Sequence, residues 1–93
     1  MHKLNSLLHQ ELRLRIISFL ATVERADFNK LLEASSATKG NLSVQISNLQ
    51  EAGYIEVTKT FKGKYPHTKC MITEKGKKEL EEYISSLKKI LNI

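Results

Sequence analysis

Apolar positions along the chain switch between two periods, and the switch divides the chain into elements. From Glu11 to about Val23 the apolar residues Leu12, Ile16, Phe19, Leu20 and Val23 recur at helical spacing. Leu14 and Ile17 lie off that stripe, so this helix is expected to be covered on more than one side. Arg13 and Arg15 are expected to be solvated or paired on its surface, and Met1 to Leu8 to be a frayed lead-in or a short first turn. Val23 to Ala26 reads as a turn with a short strand pairing. Asp27 is placed to cap a short helix over Phe28–Ala34, with Phe28, Leu31 and Leu32 inward. Ser35, Ser36 and Ala37 turn the chain into the next helix.

That next helix, Thr38 to Gly53, organises the rest. The Thr38 hydroxyl can cap its unpartnered first N–H groups, and Gly53 suits the left-handed position past its end. Leu42, Ile46 and Leu49 form its apolar stripe. The opposite face carries Gly40, Asn41, Val44, Ser47 and Asn48, with Ser43 at its edge. This face is short, polar and almost uncharged. An ordinary solvated helix more often carries Glu and Lys there, whereas short amides and hydroxyls let a helix approach another surface and bond base edges. Asn41 and Asn48 have the amide geometry to pair with adenine, and Val44 can touch a thymine methyl.

After Gly53 the period becomes two. Ile55 and Val57 alternate with Glu56 and Thr58 in a strand running to about Phe61. Lys62 to Pro66 reads as a five-residue loop, and His67 to Thr73 as a second strand with Cys70 and Ile72 on one face. From Lys59 to Lys69 there are four Lys, one His and no acid, so the hairpin is basic at its tip. Thr73 is placed to cap a last helix from Glu74 to about Asn92. There Leu80, Ile84, Leu87 and Leu91 form an a/d seam, widened by Tyr83 and Ile90. The seam continues beyond the needs of a small core, which points to a helix of a second copy as its partner.

The whole is expected to be one domain, 1–93: an α+β, mainly helical winged helix-turn-helix. The helix-turn-helix spans 27–53, the two-stranded wing 54–73 and a C-terminal dimerisation helix 74–92. Composition narrows the function. Apolar residues are 41% and charged residues 27% of the chain, as in ordinary soluble domains, and the charge is +5, which favours a polyanionic partner. One cysteine excludes an internal disulfide and fits a reducing cytoplasm. Lys3, Glu11, Arg13 and Arg15 interrupt any leader-like apolar run, and no stretch approaches a membrane span. Asp27 is the only Asp, no Gly-rich phosphate loop is present, and no His stands in a recognisable arrangement with Ser or Cys, so an enzyme is not expected. His67 and Cys70 are three apart on a strand and point to opposite faces, which argues against a metal site; no cofactor is expected.

The stretches NLSVQISNLQEAGYIEV and FKGKYPHTKCMITEKGKKEL resemble the small winged-helix transcriptional regulators of the MarR/ArsR-like type. In that group a G-N-L-S-like start to the recognition helix leads to L-E-E-A-G-Y-V-E-V, a basic G-R-x-P-R-T wing, an L-T-x-x-G turn and a terminal helix. The resemblance covers about residues 7–91. It implies a homodimer on double-stranded DNA, formed through the terminal helices. It places Asn41, Ser43, Val44, Ser47 and Asn48 in the major groove and Lys62, Lys64 and His67 in the wing. Thr38 and Lys39, at the start of the recognition helix, complete the candidate DNA-binding set, and Leu80, Tyr83, Ile84, Leu87, Ile90 and Leu91 form the candidate dimer interface. The chain departs from the group at Lys64 and His67, where Arg is frequent, at Glu11, where Pro is common, and at Cys70, where an aromatic often stands. The alternative is a winged helix that binds protein instead of DNA, which acidic residues on the helix and wing would favour; only Glu51 and Glu56 are present there. The effector, if one exists, and the target site are not legible; a small-molecule pocket would have to lie at the dimer interface.

Overall fold

The computed structural model describes residues Lys3 to Ile93. Its elements are α1 (Glu11–Leu20), β1 (Ala26–Asp27), α2 (Phe28–Ser35), α3 (Lys39–Glu51), β2 (Ile55–Lys62), β3 (Tyr65–Ile72) and α4 (Glu74–Leu91). The three strands form an antiparallel sheet in the order β1-β3-β2. This is a winged helix: α2 and α3 are the helix-turn-helix, β2 and β3 the wing. Among the described residues no helix is long and apolar enough to cross a membrane.

Each helix starts on a side chain that accepts from an otherwise orphan backbone N–H. Gln10 accepts from Arg13 N, Asp27 from Lys30 N, Thr38 from Asn41 N and Thr73 from Gly76 N. α1 ends at Leu20, three residues short of the expected Val23, because the Thr22 N–H and hydroxyl both turn back onto the Phe19 carbonyl. At the end of α3, Tyr54 N–H reaches the Leu49 carbonyl at 3.0 Å and Gly53 N–H the Gln50 carbonyl at 2.9 Å. This pair of bonds needs a left-handed residue at Gly53, whose φ is +79°.

The wing is tighter than its composition suggests. Lys62 pairs with Tyr65, so the connection is the two residues Gly63 and Lys64 and not a loop from Lys62 to Pro66. Gly63 supplies the positive φ, +67°, that a two-residue hairpin of this kind needs. Pro66 is tolerated inside β3 because Lys62 and Tyr65 flank the turn as a bonded pair. The next position then turns its nitrogen away from β2, toward an edge that β1 reaches only at Lys69 and Cys70. The short pairing expected within Val23–Ala26 is present at the end of that stretch, as Ala26–Asp27.

The core gathers Leu12, Ile16, Ile17 and Leu20 of α1, Leu31 of α2, Leu42, Ile46 and Leu49 of α3, Ile55, Cys70 and Ile72 of the sheet, and Leu80 and Tyr83 of α4. Ile17 is fully buried, as expected of a helix covered on more than one side. Of the lead-in from Met1 to Leu8, Met1 and His2 lie outside the described residues, and the rest ends in a short turn fixed by Asn5, whose Oδ1 accepts from the N–H groups of Leu7 and Leu8; Leu8 is fully buried. Asn5 Nδ2 also donates to Tyr54 Oη and Glu79 Oε2, and His9 Nδ1 lies 2.9 Å from Tyr83 Oη.

α4 leaves the body beside α3. A Cβ at Gly76 would overlap the Tyr54 carbonyl oxygen and come 2.9 Å from Ile72 Cγ1. Gly40, in the first turn of α3, has nothing within 4 Å of that position. Gly76→Ala is therefore expected to lower stability by about 1–3 kcal/mol through overpacking. Gly40→Ala should raise it by up to about 1 kcal/mol through helix propensity. Thermal melts of the two variants check this, since each kcal/mol moves Tm by about 4–8 °C in a domain of this size.

Candidate nucleic-acid interface

The outward face of α3 is as the periodicity predicts. Thr38, Lys39, Asn41, Ser43, Val44 and Ser47 are exposed, and Val44 is 55% exposed at the centre of that face. Asn48 is half-buried. Ser43 and Ser47 border an open cleft of 330 Å³ between α3 and the wing, with Gln50, Val57, Lys59 and Thr68 on its walls. Asn41 and Asn48 lie on the opposite flank, toward α1.

That flank contains what the sequence reading missed. Gln45 is buried, and its amide joins Asn41, Asn48 and Arg13 through hydrogen bonds of 3.2, 3.2 and 2.7 Å. At about 100° per residue Gln45 falls about 60° from Leu42 and about 40° from Asn41, at the border between the apolar stripe and the polar face. A long amide at the edge of the apolar stripe is the available signal. Arg13 is correspondingly not a solvated surface residue: it reaches inward to Gln45 and to the Leu7 carbonyl, at 2.6 Å. Arg15 is the exposed, paired arginine, 2.9 Å from Glu11.

The wing presents Lys62 and Lys64 at its tip, both exposed, with Lys59 and Lys69 lower on the strands. Phe61 and Tyr65, each 78% exposed, flank the tip and were not singled out from the sequence. Their signal is an aromatic next to Lys at either end of the turn. His67 is not at the tip. It is half-buried on the face toward β1, with Nε2 3.6 Å from Asp27 Oδ2. The other oxygen of Asp27 caps α2, so this contact ties the wing to the helix-turn-helix.

Of the seam residues, Leu80 and Tyr83 are buried in the chain's own core, and Leu87 packs partly against it. They face inward because α4 crosses α1 and the N-terminal turn, where His9 meets Tyr83. Ile84, Ile90, Leu91 and Ile93 remain exposed.

A capped recognition helix behind a short helix and turn, followed by a basic two-stranded wing, is the arrangement of a DNA-binding winged helix. Residues 12–91 match the winged helix DNA-binding domain family. The chain belongs to that family. It is 36% identical over 73 residues to an uncharacterised protein of Methanocaldococcus jannaschii, covering 77% of this chain and 78% of that one. It superposes on a transcriptional regulator homologue from Pyrococcus horikoshii OT3 with a TM-score of 0.86 at 30% identity, over 95% of this chain and 87% of the other. It shares its fold with AbsC, a MarR family transcriptional regulator from Streptomyces coelicolor, at a TM-score of 0.68 and 19% identity, over 90% and 68% of the two chains.

Cys70 is a structural residue of this winged helix. It is 1% exposed, and burial pushes its thiol up to about 11. An unfolded thiol ionises near 9.0, so the buried neutral form favours folding below that pH and the contribution is lost as pH rises from 9.0 toward 11. The native protein should resist thiol reagents at pH 8 and react fully once denatured. Rapid native labelling at pH 8 would place Cys70 outside the core.

Proposed function

We propose that this winged helix regulates transcription as a homodimer that binds double-stranded DNA at specific sequences. In this reading α3 enters the major groove with Asn41, Ser43, Val44, Ser47 and Asn48 toward base edges, while Thr38 and Lys39 at its start and Lys62 and Lys64 in the wing meet phosphates or the minor groove. The observation that carries it is the outward face of α3, short, polar and almost uncharged beyond Lys39 at its start, standing beside a basic hairpin. An uncharged face can approach base edges closely, and the cations lie where phosphates would be.

Homodimer formation is supported by the far half of α4. From Lys88 onward every residue is exposed, yet Ile90, Leu91 and Ile93 are apolar, and Ile84 continues their surface about two turns before Leu91. The radius of gyration, 13.9 Å, exceeds the roughly 12 Å of a compact domain of this length, and the molecule measures 51 × 25 × 21 Å. A long apolar stripe on a projecting helix is covered well by a second copy of the same helix. The double variant Ile84→Glu with Ile90→Glu avoids the intrachain core and should sediment as a folded monomer. A wild type that is already monomeric at micromolar concentration would remove the dimer.

Phosphate contacts make DNA binding salt-dependent, because each neutralised phosphate releases counterions. With about six to ten such contacts, affinity should fall ~10³–10⁵-fold between roughly 50 and 200 mM salt. Lys62→Ala with Lys64→Ala should weaken binding to all sequences alike and flatten the salt slope in gel shifts. An unchanged slope would remove the wing from the interface. Phe61 and Tyr65 favour a second reading, a wing that docks on a protein surface; no binding to mixed-sequence DNA at low salt would bring it forward.

A further inference from the structure

The polarity of the recognition helix is set from behind it. Arg13 Nη1 donates to Gln45 Oε1 at 2.7 Å, and Arg13 Nε to the Leu7 carbonyl at 2.6 Å. A carboxamide's oxygen and nitrogen can exchange places with little change of shape, but a guanidinium carries donors and no acceptor. The Gln45 oxygen must therefore face Arg13. Its nitrogen is left for the other side, where it donates to Asn41 Oδ1 at 3.2 Å. The same Gln45 oxygen accepts from Asn48 Nδ2 at 3.2 Å. The two asparagines are thus turned in opposite senses. Asn41 directs its oxygen inward and keeps its NH₂ group free, whereas Asn48 directs its NH₂ inward and keeps its oxygen free. Gln45 is 8% exposed, so water offers little relief to a reversed arrangement, which would set oxygen against oxygen or donor against donor.

We propose that Asn41 meets the DNA as a hydrogen-bond donor and Asn48 as an acceptor, and that Arg13 and Gln45 are the positioning residues that impose this polarity. The inference rests on the DNA reading proposed above and deepens it. A donor at Asn41 fits purine N7, guanine O6 or thymine O4, and an acceptor at Asn48 fits the amino group of adenine or cytosine. The end of each side chain turned to the DNA is then the NH₂ of Asn41 and the oxygen of Asn48, in place of two bidentate pairings with adenine.

The test has two arms on the full chain. In the free protein, side-chain amide NMR signals are compared between the wild type and Gln45→Leu. The Asn48 NH₂ signals should shift strongly and the Asn41 NH₂ signals little, because only the former are bonded to Gln45. The opposite pattern, or no shift at either, overturns the proposed polarity. This arm needs no DNA, so it decides the polarity even if the DNA reading itself fails.

In the second arm, sites are selected from random oligonucleotides with the wild type, Asn41→Asp and Asn48→Asp. Asn41→Asp still accepts from Gln45 but turns an acceptor outward, so the base chosen at one position per half-site should change. Asn48→Asp keeps an outward acceptor, so the chosen base should persist while affinity falls alike on selected and random DNA. Gln45→Leu should cut the preference for selected over random DNA roughly tenfold or more, with random binding retained. A changed base with Asn48→Asp and an unchanged one with Asn41→Asp would overturn the assignment. A wild type that selects no sequence would remove the DNA reading and, with it, the role of these residues in specificity. Asn41 is exposed and Asn48 half-buried, and both Asp substitutions keep the side chain's size, so they carry the test even where Gln45→Leu does not fold.

Discussion

The architecture depends on one knot of backbone and hydroxyl at the end of the recognition helix. The Thr73 hydroxyl donates to the Gly53 carbonyl at 2.7 Å and accepts from Gly76 N–H at 3.0 Å, while Thr73 N–H bonds the Tyr54 carbonyl at 3.0 Å. Three elements end or begin there: α3, the base of the wing and α4. The knot closes only because Gly53 takes a left-handed φ and Gly76 has no Cβ to meet the Tyr54 carbonyl. Lys75 covers the same point from outside, its Nζ 5.7 Å from the centre of the Tyr54 ring. The angle between reading helix and wing, and the direction in which α4 leaves, are therefore set by local bonds and not by the small core alone.

That constraint links stability to function. In the proposed reading α3 and the wing meet DNA as two separate parts, and their relative placement decides whether both reach the duplex at once. In this chain the far side of the wing has its own tie, His67 toward Asp27, and Asp27 in turn caps the first helix of the helix-turn-helix. The N-terminal turn completes the frame through Asn5 to Tyr54 and Glu79, and His9 to Tyr83. The exposed tip of the wing and the outward face of α3 stay free of these ties, as surfaces that meet a partner should.

Elements governed by short-range rules were legible in the sequence. Thr38, Asp27 and Thr73 cap as their residue types predict, Gly53 ends α3, and Ile55, Val57, Cys70 and Ile72 alternate as strands do. Pro66 reads as a breaker and so suggests a five-residue loop, but its nitrogen faces the open edge, where no ladder bond is lost. The Arg13–Gln45–Asn network was not legible. Its Arg13–Gln45 bond joins residues 32 apart and depends on α1 lying across the flank of α3. Likewise, the seam pattern of α4 could not say which residues serve the chain's own core. Leu80 and Tyr83 do, and Ile84, Ile90 and Leu91 are left at the surface.

The central claim is that α3 lies in the major groove, with two copies on successive turns of one face of the duplex. Methylation interference on a selected site tests it most directly, because guanine N7 lies on the major-groove floor. The account predicts two clusters of interfering guanines about 10 base pairs apart, or a multiple of that, with binding unaffected by methylation between them. Binding that is indifferent to N7 methylation throughout the site, or blocked only by methylation of adenine N3 in the minor groove, would contradict it.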